Sequence, residues 1–268
     1  MKNASKPLYK LDIDDGVAVV TLNRPEVMNA INMQLRGELM AMLPELDARR
    51  EVRVVVFTGA GDKAFCTGAD LKERQTKSAE ELYEFRRHVY PKWVNVIASM
   101  VKPTVAAING YCLAGGVEIA LQCDIVIASE KATFGLPEVT LGFLPGAGAC
   151  QRLPRVIGIM RAKELILTGK RIDAREAERL GMVNRIVPHH RVMDEALAVA
   201  RAIAANPPMS VVQAKIALNA SQETLLAGGL RFENEAWLST ISSDIWKRKL
   251  TEFVGRSGKR RKQKGARR

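Results

Sequence analysis

The sequence predicts an α/β fold organised around parallel strands, on three observations. The runs VRVVVFTG (52–59), TVAAING (104–110) and DIVIAS (124–129) are continuously apolar and rich in β-branched residues, as strands buried on both faces are. Helical stretches lie between them, so consecutive strands need crossover connections. With 268 residues, 47% of them hydrophobic, the chain can build one large core and an appended lobe.

The elements follow in order. LYKLDID alternates, DDG supplies turn residues and VAVVTL follows, which together read as a hairpin. Leu35, Leu39, Met42, Leu43 and Leu46 recur at helical spacing behind Asn32, a suitable N-cap. Pro44 falls inside that pattern and is expected either to kink the helix or to end its regular part. After the three apolar strands the pattern turns helical near residue 190, with VMDEALAVARAIAAN, then Pro207-Pro208, then about 40 residues without a strong strand. The expected segments are therefore 1–190, 191–255 and a basic tail, 256–268. No internal repeat is visible.

Composition narrows the function classes. Charged residues make up 26% and aromatics 5%, as in an ordinary folded protein. No apolar run reaches the roughly 18 residues of a membrane span. The opening MKNASKPLYKLD lacks the apolar centre of a signal peptide, so a cytoplasmic or organelle-matrix location is expected. Cys66, Cys112, Cys123 and Cys150 form no CxxC pair, and His88, His189 and His190 sit in no ligand pattern, so no metal is expected. Of the net charge of +12, the final RSGKRRKQKGARR carries +8 and residues 1–255 carry +4. The basicity belongs to a tail expected to be disordered, either merely solvated or touching RNA or another anionic surface.

Three stretches carry candidate chemistry. TGAGDKA (58–64) contains G-x-G-x-x-A after a strand, but AFCTGAD follows without helical periodicity, so a plain turn is expected instead of a dinucleotide site. AFCTGADLKE (64–73) and NGYCLAGGVEIALQCD (109–124) each place glycine before a helix, where unpaired amides are accessible to a ligand. Two such amides aimed at one spot would form an oxyanion hole. Glu118 lies in the first turn of the second helix among small and apolar residues. Taken alone, it fits an acid favoured by the helix dipole as well as a catalytic one. Glu138, after Pro137 in FGLPEVTLGFLPGAG, fits a solvated loop acid or a partner of Glu118. Two carboxylates and two donor loops form a set.

AFCTGADLKE, VKPTVAAINGYCLAGGVEIALQCDIVIAS, FGLPEVTLGFLPGAGACQRLPR and AKELILTGKRIDAREAERLGMVNRIV, in that order, resemble the crotonase (enoyl-CoA hydratase/isomerase) superfamily. The resemblance runs from about Leu8 to about Arg256. It implies a spiral of ββα repeats forming two nearly perpendicular sheets, then a C-terminal helical lobe that mediates trimer formation, two trimers commonly stacking into a hexamer. It implies an acyl-CoA thioester as ligand, with no cofactor beyond the CoA of the substrate. By position, Ala69 and Gly115 would supply the oxyanion-hole amides. Glu118 and Glu138 would be the acid/base pair, and Gly146 would offer an amide near the reactive water. Val27, Met28 and Asn29 would cradle the CoA adenine end, with Lys72 near the CoA path.

With both carboxylates present, the resemblance favours a hydro-lyase: syn addition of water to a trans-2-enoyl-CoA, giving a 3-hydroxyacyl-CoA. Carnitinyl-CoA dehydration, hydration of a branched enoyl-CoA and double-bond isomerisation use the same scaffold. RNA binding through the tail is an alternative from another class. One departure stands out: where the family's end usually reads D-x-x-E-G, this chain reads DIWKR, with Lys247 and Arg248 in place of Glu-Gly. Those cations could pair with CoA phosphates.

Overall fold

The hairpin forms at the start of the chain: β1 (Tyr9–Asp14) pairs antiparallel with β2 (Val17–Leu22). The structure is a computed structural model that describes residues 7–265, with residues 256–265 given by backbone alone. Asp15 and Gly16 both take positive φ, 44° and 78°, as a two-residue turn matching the strand twist requires. Helix α1 (Met33–Ala48) begins where expected, the Asn32 side chain accepting the Leu35 N–H at 2.9 Å. It buries Leu35, Leu39, Met42, Leu43 and Leu46. The helix runs through Pro44 to Ala48, so this proline does not end it. Only the hydrogen bond that residue 44 would donate to the carbonyl one turn earlier is lost.

The chain then repeats one unit three times: a longer strand, a turn, a three-residue strand and a helical segment. The first comprises β3 (Val54–Gly59), β4 (Ala64–Cys66) and α2 (Leu71–Gln75), followed by α3 (Ala79–His88) and α4 (Tyr90–Trp93). The second comprises β5 (Thr104–Ile108), β6 (Tyr111–Leu113) and α5 (Gly115–Ala120). The third comprises β7 (Ile125–Ser129), β8 (Thr133–Gly135), a 3-10 turn (Pro137–Leu141) and α6 (Ala149–Ile157). Next come α7 (Ile159–Thr168), β9 (Arg171–Asp173), α8 (Ala174–Leu180), β10 (Arg185–Val187) and α9 (Val192–Ala204). The longer strands and the three-residue β10 join a sheet ordered β1-β2-β3-β5-β7-β10, and the other short ones a second sheet ordered β4-β6-β8-β9. Apart from the β1–β2 and β8–β9 pairs, every pairing is parallel.

The continuous apolar runs now have their reason. Val54 and Val56 of β3, with Val105, Ala107 and Ile127, pack against Val192, Ala196 and Ala200 of α9. Val55, Phe57, Ala106, Ile108 and Ala128 point the other way, into a core shared with Phe65, Cys112 and Phe134 of the second sheet and with the leucines of α1. Both faces are covered, so the strand interiors are apolar, and the polar residues they admit, Thr58, Thr104 and Ser129, stand at or near the strand ends with hydrogen-bond partners. The TGAGDKA stretch is a turn leading into β4 and starts no helix. There the two sheets approach closely: a Cβ on Gly110 would stand 2.1 Å from the Lys63 carbonyl oxygen. Asn109 completes the tie, its amide donating to the carbonyls of Gly59 at 2.9 Å and Gly61 at 2.7 Å.

The chain divides into two compact units, residues 1–205 and 206–268. The boundary expected near residue 190 falls before α9, and α9 packs on the first sheet as described, so the division lies after it. The second unit consists of α10 (Pro208–Ala220), α11 (Leu226–Thr240) and α12 (Ile245–Gly265), with α10 and α11 packed together. Pro208 occupies the first position of α10, where its missing N–H is no loss. The tail expected to be disordered from residue 256 instead continues α12 to Gly265, in keeping with the helix propensity of its Lys, Arg and Gln residues. The tail side chains, to which RNA contact was ascribed, lie outside the described residues. Within the second unit, Lys247 pairs with Asp244 at 3.3 Å. Among the described residues no helix is long and apolar enough to cross a membrane.

Asn29, expected at the CoA adenine end, is fully buried and structural. Its side-chain oxygen accepts the Arg24 N–H at 3.0 Å, and its amide donates to the carbonyls of Ala60 at 3.0 Å and Ala64 at 2.8 Å. It thereby ties the turn after β2 to the β3–β4 turn, and its side chain is unavailable to a ligand. Asn29→Ala removes the partner of three backbone groups, one of them fully buried, and is expected to lower the unfolding free energy by about 2–4 kcal/mol, read from urea unfolding.

Candidate active site

Three neighbouring parallel strands, β4, β6 and β8, end side by side, and the segments leaving them hold Ala69, Gly115 and Glu138. The carboxyl ends of parallel strands are where α/β sheets present ligand-binding loops. The first two loops touch. A Cβ on Gly115 would lie 3.1 Å from Gly68 Cα and 3.8 Å from the Ala69 amide nitrogen.

The local backbone leaves both amides outside the pairing around them. Ile31 forms a parallel bridge opposite Ala69, donating to the Gly68 carbonyl at 2.7 Å and accepting from Asp70 N–H at 3.0 Å. The Ala69 N–H takes no part in that bridge and is turned to the opposite side, where Ala69 lines a cavity. Gly115 is the first residue of α5, so its N–H has no intrahelical acceptor. Ala114 before it holds φ 50°, a left-handed conformation that a side chain disfavours by about 1–3 kcal/mol. The Ala114 N–H donates to the Gly135 carbonyl at 2.8 Å, anchoring the strained residue to β8. The closeness of α5 to β4 excludes larger residues: a Cβ on Gly116 would stand 2.1 Å from the Cys66 carbonyl oxygen. Beneath this junction burial pushes the Cys66 thiol up to about 12, so it stays protonated and packs as an apolar group.

Glu118 follows one turn into α5 and is 4% exposed. One carboxylate oxygen, Oε1, accepts the N–H groups of Ala147 and of Ala149, the latter at 3.2 Å. Burial raises its pKa, and the two amides, with the nearby Arg86 and Arg152 guanidinium groups, pull it back down. The amides satisfy the charged form, so Glu118 is suited to act as a carboxylate. Arg86 does more than add charge. It donates to the Gly146 carbonyl at 2.8 Å and stacks over the Tyr90 ring at 4.1 Å. The Gly146 carbonyl and the Ala147 N–H belong to one peptide unit, so Arg86 fixes the plane that points the N–H at Glu118.

Glu138 sits in the 3-10 turn after β8, which Gly142 closes at φ 76°. Its pKa is raised to about 7, chiefly by burial and further by the charge of Glu118, with Arg74 opposing. Its buried Oε2 has no hydrogen-bond partner. Glu118 is provided with two donors, whereas the Glu138 carboxyl has only its own backbone N–H and none at Oε2, which favours a protonated acid near neutral pH.

These residues share a cavity of about 570 Å3, lined by Ala69, Gly115, Glu118, Glu138 and Gly146 from the expected set. The opposite wall comes from α3 and α4, with Phe85, Tyr90 and Trp93. Val27, Met28 and Lys72 are not among the residues lining the cavity. Met28 and Lys72 are exposed, and the Met28 carbonyl accepts from Thr67 on the cavity rim at 3.3 Å. The α3–α4 wall with Arg86, and the further cations Arg74 of α2 and Arg36 of α1, are not evident from the sequence. They belong to no motif, and only the Arg and aromatic content of EFRRHVYPKW hinted at them.

Replacing Arg86 by Met removes a cation beside Glu118 and frees the Gly146–Ala147 peptide. The Glu118 pKa is expected to move up, read by carbon NMR titration of the glutamate carboxyls. An unchanged titration would show that neither charge nor peptide orientation reaches Glu118.

The geometry can be set beside known proteins. The family model for enoyl-CoA hydratase/isomerase matches residues 12–264. A short-chain-enoyl-CoA hydratase of Clostridium acetobutylicum is 40% identical over 244 residues, 91% of this chain and 93% of that protein. The mitochondrial enoyl-CoA hydratase of Pongo abelii is 40% identical over 240 residues, 89% of this chain and 81% of that protein. A crystal structure of enoyl-CoA hydratase from Bacillus anthracis superposes with a TM-score of 0.90 at 39% identity, covering 93% of this chain and 97% of that one. With the strand repeats, the converging donor loops and these likenesses over nearly its whole length, the chain belongs to the enoyl-CoA hydratase/isomerase family.

Proposed function

We propose that this protein is an enoyl-CoA hydratase, adding water reversibly across the double bond of a trans-2-enoyl-CoA to give the 3-hydroxyacyl-CoA. The observation that carries the reading is two carboxylates lining one cavity, a buried Glu118 that accepts two backbone amides and a half-buried Glu138 whose Oε2 has none, beside the adjoining Ala69 and Gly115 loops. As water attacks C3, negative charge develops on the thioester oxygen. Donors preset for that charge, here the Ala69 and Gly115 amides, typically lower the barrier enough that losing one costs roughly 10²–10³ in rate. Glu118, held as a carboxylate by the Ala147 and Ala149 amides, takes the proton from water. Glu138, with its raised pKa, delivers a proton to C2. The CoA moiety is part of the substrate, and no further cofactor enters this chemistry.

The role assignment predicts a pH profile. Glu138 must carry its proton, so hydration should slow as pH rises through about 7. Glu118 must be ionised, so the rate should also fall at low pH. Glu118→Gln and Glu138→Gln are each expected to lose roughly 10²–10⁴ in rate, followed by the loss of enoyl-thioester absorbance of crotonyl-CoA. Wild-type protein that binds crotonyl-CoA but leaves its absorbance unchanged would overturn the reading.

Assembly as a homotrimer, or two stacked trimers, is part of the same proposal. Its support is the exposure of Leu225, Leu226, Phe232 and Trp237 in the second unit, apolar surface that self-association would cover. Sedimentation at micromolar concentration should show a trimer or hexamer, and a monomer would refute the assembly.

A further inference from the structure

The cavity wall holds a cation that has no anionic partner among the described residues. Arg36, on α1, lines the cavity, and its guanidinium stacks over the Phe85 ring at 4.7 Å and the Trp93 ring at 5.5 Å. Its hydrogen-bond acceptor among the described residues is the Met33 sulfur at 3.2 Å, and its buried Nε has none. No carboxylate stands within ion-pair distance of it among the described residues. Glu73, the nearest acid to influence it, accepts the Met33 N–H at 2.8 Å instead. Burial lowers the Arg36 pKa to about 10, which still leaves the group charged at neutral pH.

Three other acids around the cavity have basic partners. Asp70 pairs with Arg24 at 2.9 Å, Glu81 with Lys77 at 2.9 Å and Glu84 with His88 at 3.0 Å. Arg74 and Arg86 add positive charge to the same wall, stacked on Phe143 and Tyr90. A guanidinium taken out of water without an anion is strongly unfavourable, and its planar fork suits a carboxylate in two parallel hydrogen bonds. Aromatic faces hold Arg36 in place while leaving its edge for such a group.

We propose that the acyl chain accepted here ends in a carboxylate, and that Arg36 is the residue that selects it. The substrate class is then an enoyl-CoA with a distal acid, and water adds as before, hydroxyl to C3 and proton to C2. This rests on the hydratase reading above and deepens it. A CoA phosphate is the other anion an acyl-CoA brings, and the two sources separate experimentally.

The test compares glutaconyl-CoA, which carries a terminal carboxylate, with pent-2-enoyl-CoA, its uncharged counterpart of equal chain length, and with free CoA as an inhibitor. Wild type should prefer glutaconyl-CoA in kcat/KM. Arg36→Met should lower the ratio of glutaconyl to pentenoyl turnover by roughly 10- to 100-fold, the range expected for a charge-assisted hydrogen bond. Arg36→Lys, which keeps the charge without the fork, should keep more of the preference and serves if the Met variant does not fold. An equal loss with both esters, together with weaker inhibition by CoA, would assign Arg36 to a phosphate and overturn the proposal. Wild type that favours pent-2-enoyl-CoA would overturn it while leaving the hydratase reading intact. Wild type that hydrates neither ester would remove both.

Discussion

A carboxylate buried among apolar residues is the constraint around which the rest of the site is organised. Glu118 cannot be left ionised inside α5 unless something replaces its water shell. Here backbone amides replace it, and they come from the segment 146–149, far along the chain. That segment must therefore be held in one conformation, which Arg86 achieves from α3 through the Gly146 carbonyl. The solvation of one side chain thus ties a helix start, a loop and a wall helix into a single unit.

The same economy separates the two glutamates. They are chemically identical, lie close enough for each charge to disfavour the other, and both are raised by burial. What distinguishes them is the supply of donors: two peptide amides for Glu118, none for the inner oxygen of Glu138. Near neutral pH one is suited to hold a negative charge and the other a proton. This asymmetry comes from backbone conformation, and no third catalytic side chain is needed to create it.

Much of this was legible in the sequence. The β-branched runs, the Asn32 cap and the DDG turn report local physics, and each became the element it indicates. Glu118 was conspicuous because an acid among small and apolar residues calls for a reason. Other parts were not legible because they arise only in three dimensions. The threefold strand-pair repeat leaves little trace in the letters: a glycine allows the close crossing at Gly59 and again at Gly110, but the β7–β8 turn, Glu130-Lys131-Ala132, has none. Asn29 lay in a motif associated with the ligand, yet three hydrogen bonds commit it to the framework. Arg36 and Arg86 look like ordinary surface cations of amphipathic helices until their neighbours are seen. The helical backbone of the basic tail shows that charge density alone does not decide against a helix.

The parallel pairing of β4, β6 and β8 has a consequence for the order of events during synthesis. Strands that are neighbours in the sheet are separated in the chain by whole helices, so their contacts close late and against a large loop entropy. The Ala69 loop leaves the ribosome well before Gly115, and Gly115 before the amide of Ala149. A growing chain therefore keeps the Glu118 segment open to water, which solvates its carboxylate until the last amide donor emerges. The Glu118 pocket closes at one late moment of assembly, and a nascent chain halted before Ala149 lacks one of its two donors.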